Sequence, residues 1–430
     1  MALDLKAIDN CLVEAGTKGL PHEAEGAPLS EIDFNSLNPL KGDCSYPVAI
    51  IKEQALNHNI YIMQRYMDRA GMRFAPHGKT TMSPQIFDRQ LEAGAWGITV
   101  ATMPQVRVCR RFGIFRIIIA NQVISTKDIQ YLVQETAQNP DFICFSLVDS
   151  IEAADRLQSI IEETNNIVKL KVLLEIGMSG GRCGCRTMEE ALSIAHHIKT
   201  LSNVELHGLE SYEGLLNSGK TEQDTLAVNE FMAKMKMVYN NCVEHNLFFN
   251  KKEIMLTAGG TAFFDLVAKA FGDTDKHHIV PVIRSGCYVT HDSGFYKKLV
   301  NEVHKRKAAG TGPELQSALE VWAQVISRPE PDLAIIGLGI RDISNDIELP
   351  VVENWFRSEI MDIPKPLTDC ILIKIMDQHA FLRIGQGCDL KVGDLVSFGV
   401  SHPCTTFDKW KVLLLVDENY QVTSVIKTFF

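Results

Sequence analysis

No apolar run in the chain approaches the roughly 18 residues of a membrane span. The opening stretch, Met1 to Cys11, carries Asp4, Lys6 and Asp9 where a secretion signal needs a basic end and an apolar block. The expectation is a cytosolic protein that does not touch a membrane. Basic charge is also scarce, with 43 Lys and Arg against 53 Asp and Glu for a net charge of −10. A phosphate backbone demands clustered Lys and Arg, so nucleic acid is excluded as a partner and small-molecule chemistry is favoured. The cysteines form no regular framework: there are eleven, an odd count that suits reduced thiols in a reducing compartment. Neither an internal repeat nor a low-complexity tract is present.

What remains is an ordinary globular composition, 46% hydrophobic and 22% charged over 430 residues, enough for one large and one smaller domain. Residues 1–45 hold one short helix and a loop rich in Gly, Pro and Asn, and read as a segment packed on the smaller domain. Over residues 46–300 apolar runs alternate with stretches of helical periodicity. The runs Met72–Ala75, Gly97–Ala101, Phe115–Ala120, Phe142–Val148, Val168–Ile176, Val204–Leu209, Glu253–Thr257 and Val280–Arg284 read as buried parallel strands. Eight such units are the count of a (β/α)₈ TIM barrel; a doubly wound open sheet is the alternative. Over residues 301–430 short runs punctuated by Pro and Gly indicate a mainly antiparallel β domain.

Polar residues collect just after the runs: His77 and Lys79, Thr102 and Gln105, Asn121 and Gln122, Asp149, then the loops at 177–182, 210–214, 258–261 and 285–288. In a parallel barrel these ends share one face, where such folds keep their active sites. Lys79 follows the first run in a turn opened by Pro76 and Gly78, a place where an amine could form a Schiff base, although a turn lysine is also an ordinary solvated group. Gly78-Lys79-Thr80 imitates the end of a P-loop, but Arg73 stands where that motif needs its first glycine. Gly259-Gly260-Thr261 opens onto an apolar helical stretch and offers amides and a hydroxyl to a phosphate, with Gly286, Cys287 and Tyr288 supplying a second set of amides after the next run. Arg182 suits a cofactor ring nitrogen, a substrate carboxylate or a surface ion pair. Cys183-Gly184-Cys185 lacks a second pair for zinc and reads as ordinary buried thiols. His402-Pro403-Cys404 differs: two ligands pointing the same way across a proline form a clamp for a borderline-soft cation such as Zn²⁺, or else a histidine near a buried cysteine. His196-His197 and His277-His278 have no such geometry and read as solvated.

Taken in order, Pro76-His77-Gly78-Lys79-Thr80, Gly180-Gly181-Arg182, His207-Gly208 with Tyr212, Gly259-Gly260-Thr261, Arg284-Ser285-Gly286-Cys287-Tyr288 and His402-Pro403-Cys404 resemble the motifs of the fold-type III pyridoxal-phosphate enzymes. The resemblance is to the D-serine dehydratase and D-threonine aldolase family in particular, and it runs from about Pro47 to the C-terminus. The stretches 75–82 and 401–410 are similar to its amino acid deaminase, or D-serine deaminase, branch. Better-studied relatives carry Arg before the Pro-His and a histidine after the Lys-Thr, where Ala75 and Thr81 stand here, so substrate preference does not carry over.

The resemblance implies an alanine racemase-like barrel in which Lys79 carries pyridoxal 5'-phosphate as a Schiff base and takes the α proton. It implies that His77, Arg182, Tyr212, Gly259, Gly260, Thr261, Gly286, Cys287 and Tyr288 surround the cofactor; a racemase, a third option, would need a second acid/base on the opposite face, for which Tyr212 and His207 are the candidates. His402 and Cys404 would hold a divalent metal, Zn²⁺ first among candidates, in a homodimer whose sites lie between the barrel of one subunit and the β domain of the other. The implied reaction is dehydration and deamination of a small-molecule D-3-hydroxy amino acid, of the D-serine, D-threonine or D-threo-3-hydroxyaspartate type, to a 2-oxo acid and ammonia. Retro-aldol cleavage, as by D-threonine aldolase, and a pyridoxal-phosphate carrier without turnover are the alternatives; the cysteine in the clamp favours elimination.

Overall fold

A computed structural model describes residues 3–164, 167–274, 278–308 and 310–430. Strand β1 is Val48–Lys52, followed by β2 (Arg73–Phe74), β3 (Ile98–Val100), β4 (Arg116–Gln122), β5 (Ile143–Val148), β6 (Leu170–Ile176), β7 (Val204–Ser211), β8 (Ile254–Ala258) and β9 (Ile279–Ile283). Strands β2 to β9 are all parallel and pair in the order β2-β9-β8-β7-β6-β5-β4-β3. The circuit closes where the Trp96 amide donates to Phe74 O at 2.7 Å and the Thr99 amide to Pro76 O at 2.9 Å, beside a parallel bridge between His77 and Thr99. All eight expected runs are strands of this barrel, and the barrel excludes the open doubly wound sheet.

The local reasons are plain. A strand covered on both faces tolerates continuous Val, Ile and Leu, and Ile117, Ile118 and Ile119 of β4 are all buried. Ala75, Ile118, Phe145, Leu173, Met255 and Val282 fill the barrel's interior. Helices start and stop on short signals between the strands. The helix Glu53–Ala70 ends on Gly71, whose φ of 70° is a left-handed conformation that costs glycine little. The helix Met188–Thr200 begins with a capping box in which Thr187 and Glu190 satisfy each other's backbone amides.

The second sheet comprises β10 (Leu319–Glu330), β11 (Leu333–Ile336), β12 (Val351–Phe356), β13 (Lys365–Pro366), β14 (Cys370–Ile375), β15 (Ala380–Ile384), β16 (Leu395–Gly399), β17 (Val412–Val416) and β18 (Val422–Lys427). Its main path is β13-β12-β16-β10-β1-β17-β18, with β11, β14 and β15 built off β10. Here the expected boundary at residue 46 is corrected. Strand β1 belongs not to the barrel but to the middle of this sheet, antiparallel to β10 (Val48 opposite Trp322, Ile51 opposite Leu319) and parallel to β17 (Ile50 opposite Leu414). The chain passes from β1 directly into the helix Glu53–Ala70 and so into the barrel. Residues 3–45 lie on the outer face of the same sheet, where Val13, Leu20 and Leu29 share a core with Trp322, Val412 and Leu414.

Among the described residues, no helix is long and apolar enough to cross a membrane. Ile51, fully buried in β1, touches the core that joins both domains. Ile51→Ala is therefore expected to cost about 3 kcal/mol of unfolding free energy, read as a lower urea midpoint.

Candidate active site

Lys79 lies in the 3₁₀ turn Gly78–Thr80 beyond β2. A β-carbon at Gly78 would stand 2.9 Å from both Ile98 and Phe87, so only glycine lets the turn pack that tightly and leave the lysine exposed towards the barrel mouth. Two cavities meet there. The larger, about 400 Å³, is lined by His77, Lys79, Thr80, Tyr212, Gly259 to Ala262, Gly286, Cys287, Phe295, Tyr296, His402 and Cys404. The smaller, about 200 Å³, is lined by Lys79, His77, Gln122, Glu175, Arg182, Glu210, Tyr212 and Arg284. Their volumes suit a cofactor and a small substrate.

The smaller cavity is an electrostatic pocket built from strand ends. Arg284, after β9, is ion-paired with Glu210 at the end of β7, and donates to Ser211 O at 2.9 Å. Both side chains are buried. Glu175, at the end of β6, accepts from Gln122 Nε2 at 2.5 Å; burial first, and then the Glu210 charge, push its carboxyl up to about 7. Burial, with the Lys79 and Arg284 charges behind it, holds the His77 imidazole well below its usual range, so this ring is neutral. The Arg182 guanidinium lies over the Tyr212 ring at 4.4 Å. Its loop is tied down by Arg186, which donates to the carbonyls of Gly181, Arg182, Cys183 and Gly184. Cys183 is exposed rather than buried, with donor atoms of Asp149 and Glu175 within 4.8 Å.

The glycine turn differs from expectation in one respect. The amides of Gly259 and Gly260 donate to the carboxylate of Glu213, at 3.0 and 2.7 Å, and are not open to a ligand. The donors left to an anion are those that follow, from Thr261 on, and the first amides of the 3₁₀ turn Cys287–Val289, which have no intrahelical partner. Ser285 Oγ donates to Gly260 O at 3.2 Å and ties the two turns together. A β-carbon at Gly286 would lie 2.5 Å from Thr80 Oγ1 and 2.8 Å from His77 O, so the lysine turn and the anion turn are in direct contact.

Two expected site residues lie elsewhere. Tyr288 buries its ring against Phe74, at 5.1 Å, and its hydroxyl accepts from Gln90 Nε2 at 2.8 Å; only its backbone faces the turn. His207 sits at the fourth position of β7, at the barrel's floor, where its Nε2 meets Glu205 at 3.0 Å and its ring lies between Phe145 and Phe249. It lines neither cavity. His277 lies outside the described residues.

The β domain reaches the same cavity. His402 and Cys404 follow β16, and His402 Nδ1 lies 2.6 Å from Asp346, which also accepts from Thr405 Oγ1 at 2.7 Å. Cys404 Sγ lies 3.4 Å from Cys287 Sγ and 3.4 Å from Thr80 Oγ1. The Cys287 hydrogen bond, against burial and with His402 and Thr80 in support, holds the Cys404 thiol well below its usual range. Burial alone would lower the His402 pKa, but the Cys404 and Asp346 charges more than offset it and raise it to about 9. All these groups belong to one chain. The chain's own second sheet brings His402 and Cys404 to the cavity that Lys79 lines.

Comparison with known proteins agrees. The alanine racemase N-terminal domain model matches residues 51–246 and the putative serine dehydratase domain model residues 318–416. The chain belongs to the fold-type III pyridoxal-phosphate family. It is 23% identical over 400 residues to the D-threonine aldolase of an Arthrobacter species, covering 92% of this chain and 93% of that one. It is 31% identical over 149 residues to the D-threo-3-hydroxyaspartate dehydratase of a Delftia species, 35% of this chain and 38% of that one. The solved structure of that dehydratase superposes with a TM-score of 0.70 at 19% identity, covering 92% and 98%, and a variant of it has been solved in a metal-free form. The D-threonine aldolase from Filomicrobium marinum superposes with a TM-score of 0.73 at 19% identity, covering 90% and 95%.

The residues present fit the family's cofactor. Buried polar atoms without a partner, His77 Nδ1, Arg284 Nη1 and Glu210 Oε2, belong to residues that line the smaller cavity beside Lys79. Such atoms are costly unless a ligand satisfies them. A metal fits equally well, because the histidine–cysteine pair is backed by a carboxylate on the far ring nitrogen, as is usual for metal-bound histidines.

Glu175 gives the site a pH signature. Its folded-state pKa, about 7, lies above the ordinary 4.5. The unfolded chain therefore releases this proton first, and stability falls as pH rises from about 4.5 to 7 and is level above. In cofactor-free protein, Glu175→Gln should remove this loss and be more stable than the parent by about 1–2 kcal/mol at pH 8 relative to pH 4.5, after allowance for partial exposure, as read by urea unfolding at both pH values.

Proposed function

We propose that the chain is a pyridoxal-phosphate-dependent, metal-assisted lyase that converts D-3-hydroxy amino acids to a 2-oxo acid and ammonia. The observation that carries this reading is the cavity shared by Lys79 from the barrel and the His402–Cys404 pair from the β domain. A lysine amine and a Lewis-acid site facing one another across a small cavity suit a substrate that must lose a proton at Cα and an oxygen at Cβ.

Lys79 would anchor the cofactor and, once released, hold its amine beside the substrate's Cα to take that proton. Thr261 and the amides of the 286–288 turn would receive the phosphate, and the pocket of Arg284, Glu210, Glu175 and Arg182 would receive the ring. Bound pyridoxal phosphate would supply the electron sink that stabilises charge at Cα, and a bound divalent ion would polarise the β-hydroxyl. His402 and Cys404 would hold that ion, with Asp346 orienting the imidazole. Phe295, Tyr296 and Leu299 form an apolar wall on the larger cavity and limit water at the reacting carbon. The α proton would go to Lys79 Nζ, the hydroxyl would leave Cβ and depart as water after taking up a proton, and the released enamine (2-aminoacrylate from D-serine) would take up water to give the 2-oxo acid and ammonia.

A second reading is retro-aldol cleavage, favoured by the aldolases among the matched relatives. There the same lysine and ion would act on the β-hydroxyl proton and the Cα–Cβ bond. Products decide between them. With D-serine and D-threonine we expect 2-oxo acid and ammonia; glycine plus an aldehyde would replace lyase-type dehydration by aldol cleavage. A homodimer, the assembly implied by the resemblance, would add to a site whose lysine and metal pair one chain already supplies.

Removing the metal gives a separate test. Lewis-acid polarisation is worth several kcal/mol, so chelation, His402→Ala or Cys404→Ala should each lower kcat by about 100-fold or more. Zinc should restore the chelated protein and not the variants. Full turnover in chelated protein would contradict metal assistance.

A further inference from the structure

The Cys287 side chain lines this cavity and has no role in the reading above. Its backbone belongs to the anion turn after β9, while its thiol points across to the β domain and lies 3.4 Å from Cys404 Sγ. That separation is far longer than the ~2.05 Å of a disulfide. It is close to the ~3.8 Å between two sulfurs bound to one tetrahedral ion through ~2.3 Å bonds.

We propose that Cys287 is a third protein ligand to the metal, so that the barrel and the β domain hold one ion between them through two thiolates and an imidazole. This rests on the metal reading of His402 and Cys404 and extends it. Cys287, Cys404 and His402 stand in a row, with Cys404 in contact with both of the others. An ion replaces the protons that now link the row, and the outer two side chains turn towards it. The backbone of Cys287 is held in place, because Gly286 has no room for a side chain between Thr80 and His77. His402 is held by Asp346 through Nδ1, which presents the other ring nitrogen to the ion. Two sulfurs and one nitrogen make a set that selects zinc over magnesium, calcium or manganese. In a tetrahedral site they leave one position open, the one a substrate hydroxyl would take.

The set also has a structural consequence. A two-ligand clamp lies wholly within the β domain, whereas this one closes a link between Cys287 of the barrel and residues 402–404. Metal binding then couples the two domains next to Lys79.

X-ray absorption at the zinc edge, on the full-length wild-type protein loaded with pyridoxal phosphate and one equivalent of zinc, counts the sulfur neighbours. The expected count is two at ~2.3 Å. Cys287→Ser should reduce it to one and weaken zinc binding, measured by competition with a chromogenic chelator, by more than about tenfold. One sulfur in the wild type, with unchanged affinity in Cys287→Ser, overturns the proposal and leaves the His402–Cys404 pair standing. No sulfur at all overturns both. If Cys287→Ser does not fold, the wild-type count decides alone.

Discussion

The pairing of one short strand holds the site together. Val48–Lys52 sits between β10 and β17, antiparallel to one and parallel to the other, and the next residue already belongs to the helix that leads into the barrel. That strand is an interior member of the path linking β13 to β18, flanked by β10 and β17. The β domain is therefore not a module hung on the C-terminal end of a finished barrel; it is completed by the segment that precedes the barrel. This connection fixes the loop at 401–408 over the mouth, more than three hundred residues from Lys79 in sequence yet on the wall of the same cavity.

Within that frame, charge at the mouth is arranged in pairs. Arg284 is matched by Glu210, the glycine-turn amides by Glu213, and His402 by Asp346. The first two pairs join the end of β7 to the ends of β9 and β8, so the pocket depends on the register of β7 to β9 as well as on its own residues. The neutral ring of His77 and the raised carboxyl of Glu175 follow from the same crowding: burial penalises charge on both. The polar atoms left over, on His77, Arg284 and Glu210, mark where a polar ligand offering both donors and acceptors would find partners.

Much of this was legible in the sequence because parallel barrels put their chemistry after their strands. The eight runs, the lysine turn and the His402-Pro403-Cys404 clamp could all be read locally. Other features could not. Val48–Lys52 is an apolar run that looks the same whether it pairs in one sheet or the other, and only long-range register assigns it. His207 and Tyr212 both follow the motif order, but depth along β7 separates a floor residue from a mouth residue by five positions. The glycines of 259–260 were correctly placed at a turn, yet their amides are taken by Glu213, which no spacing rule connects to them. Strands β12 and β15 carry little local signal, because Glu353, Asn354 and Arg383 break their apolar pattern. Asp346, 56 residues before His402, carries no local signal at all.

Everything in this account turns on Lys79 as the cofactor anchor. The most direct measurement is to load the wild-type protein with pyridoxal phosphate, reduce it with borohydride, digest it and locate the pyridoxyl group by mass spectrometry. The account predicts a single labelled peptide carrying the group on Lys79. A label on another lysine, or none after full loading, would contradict it.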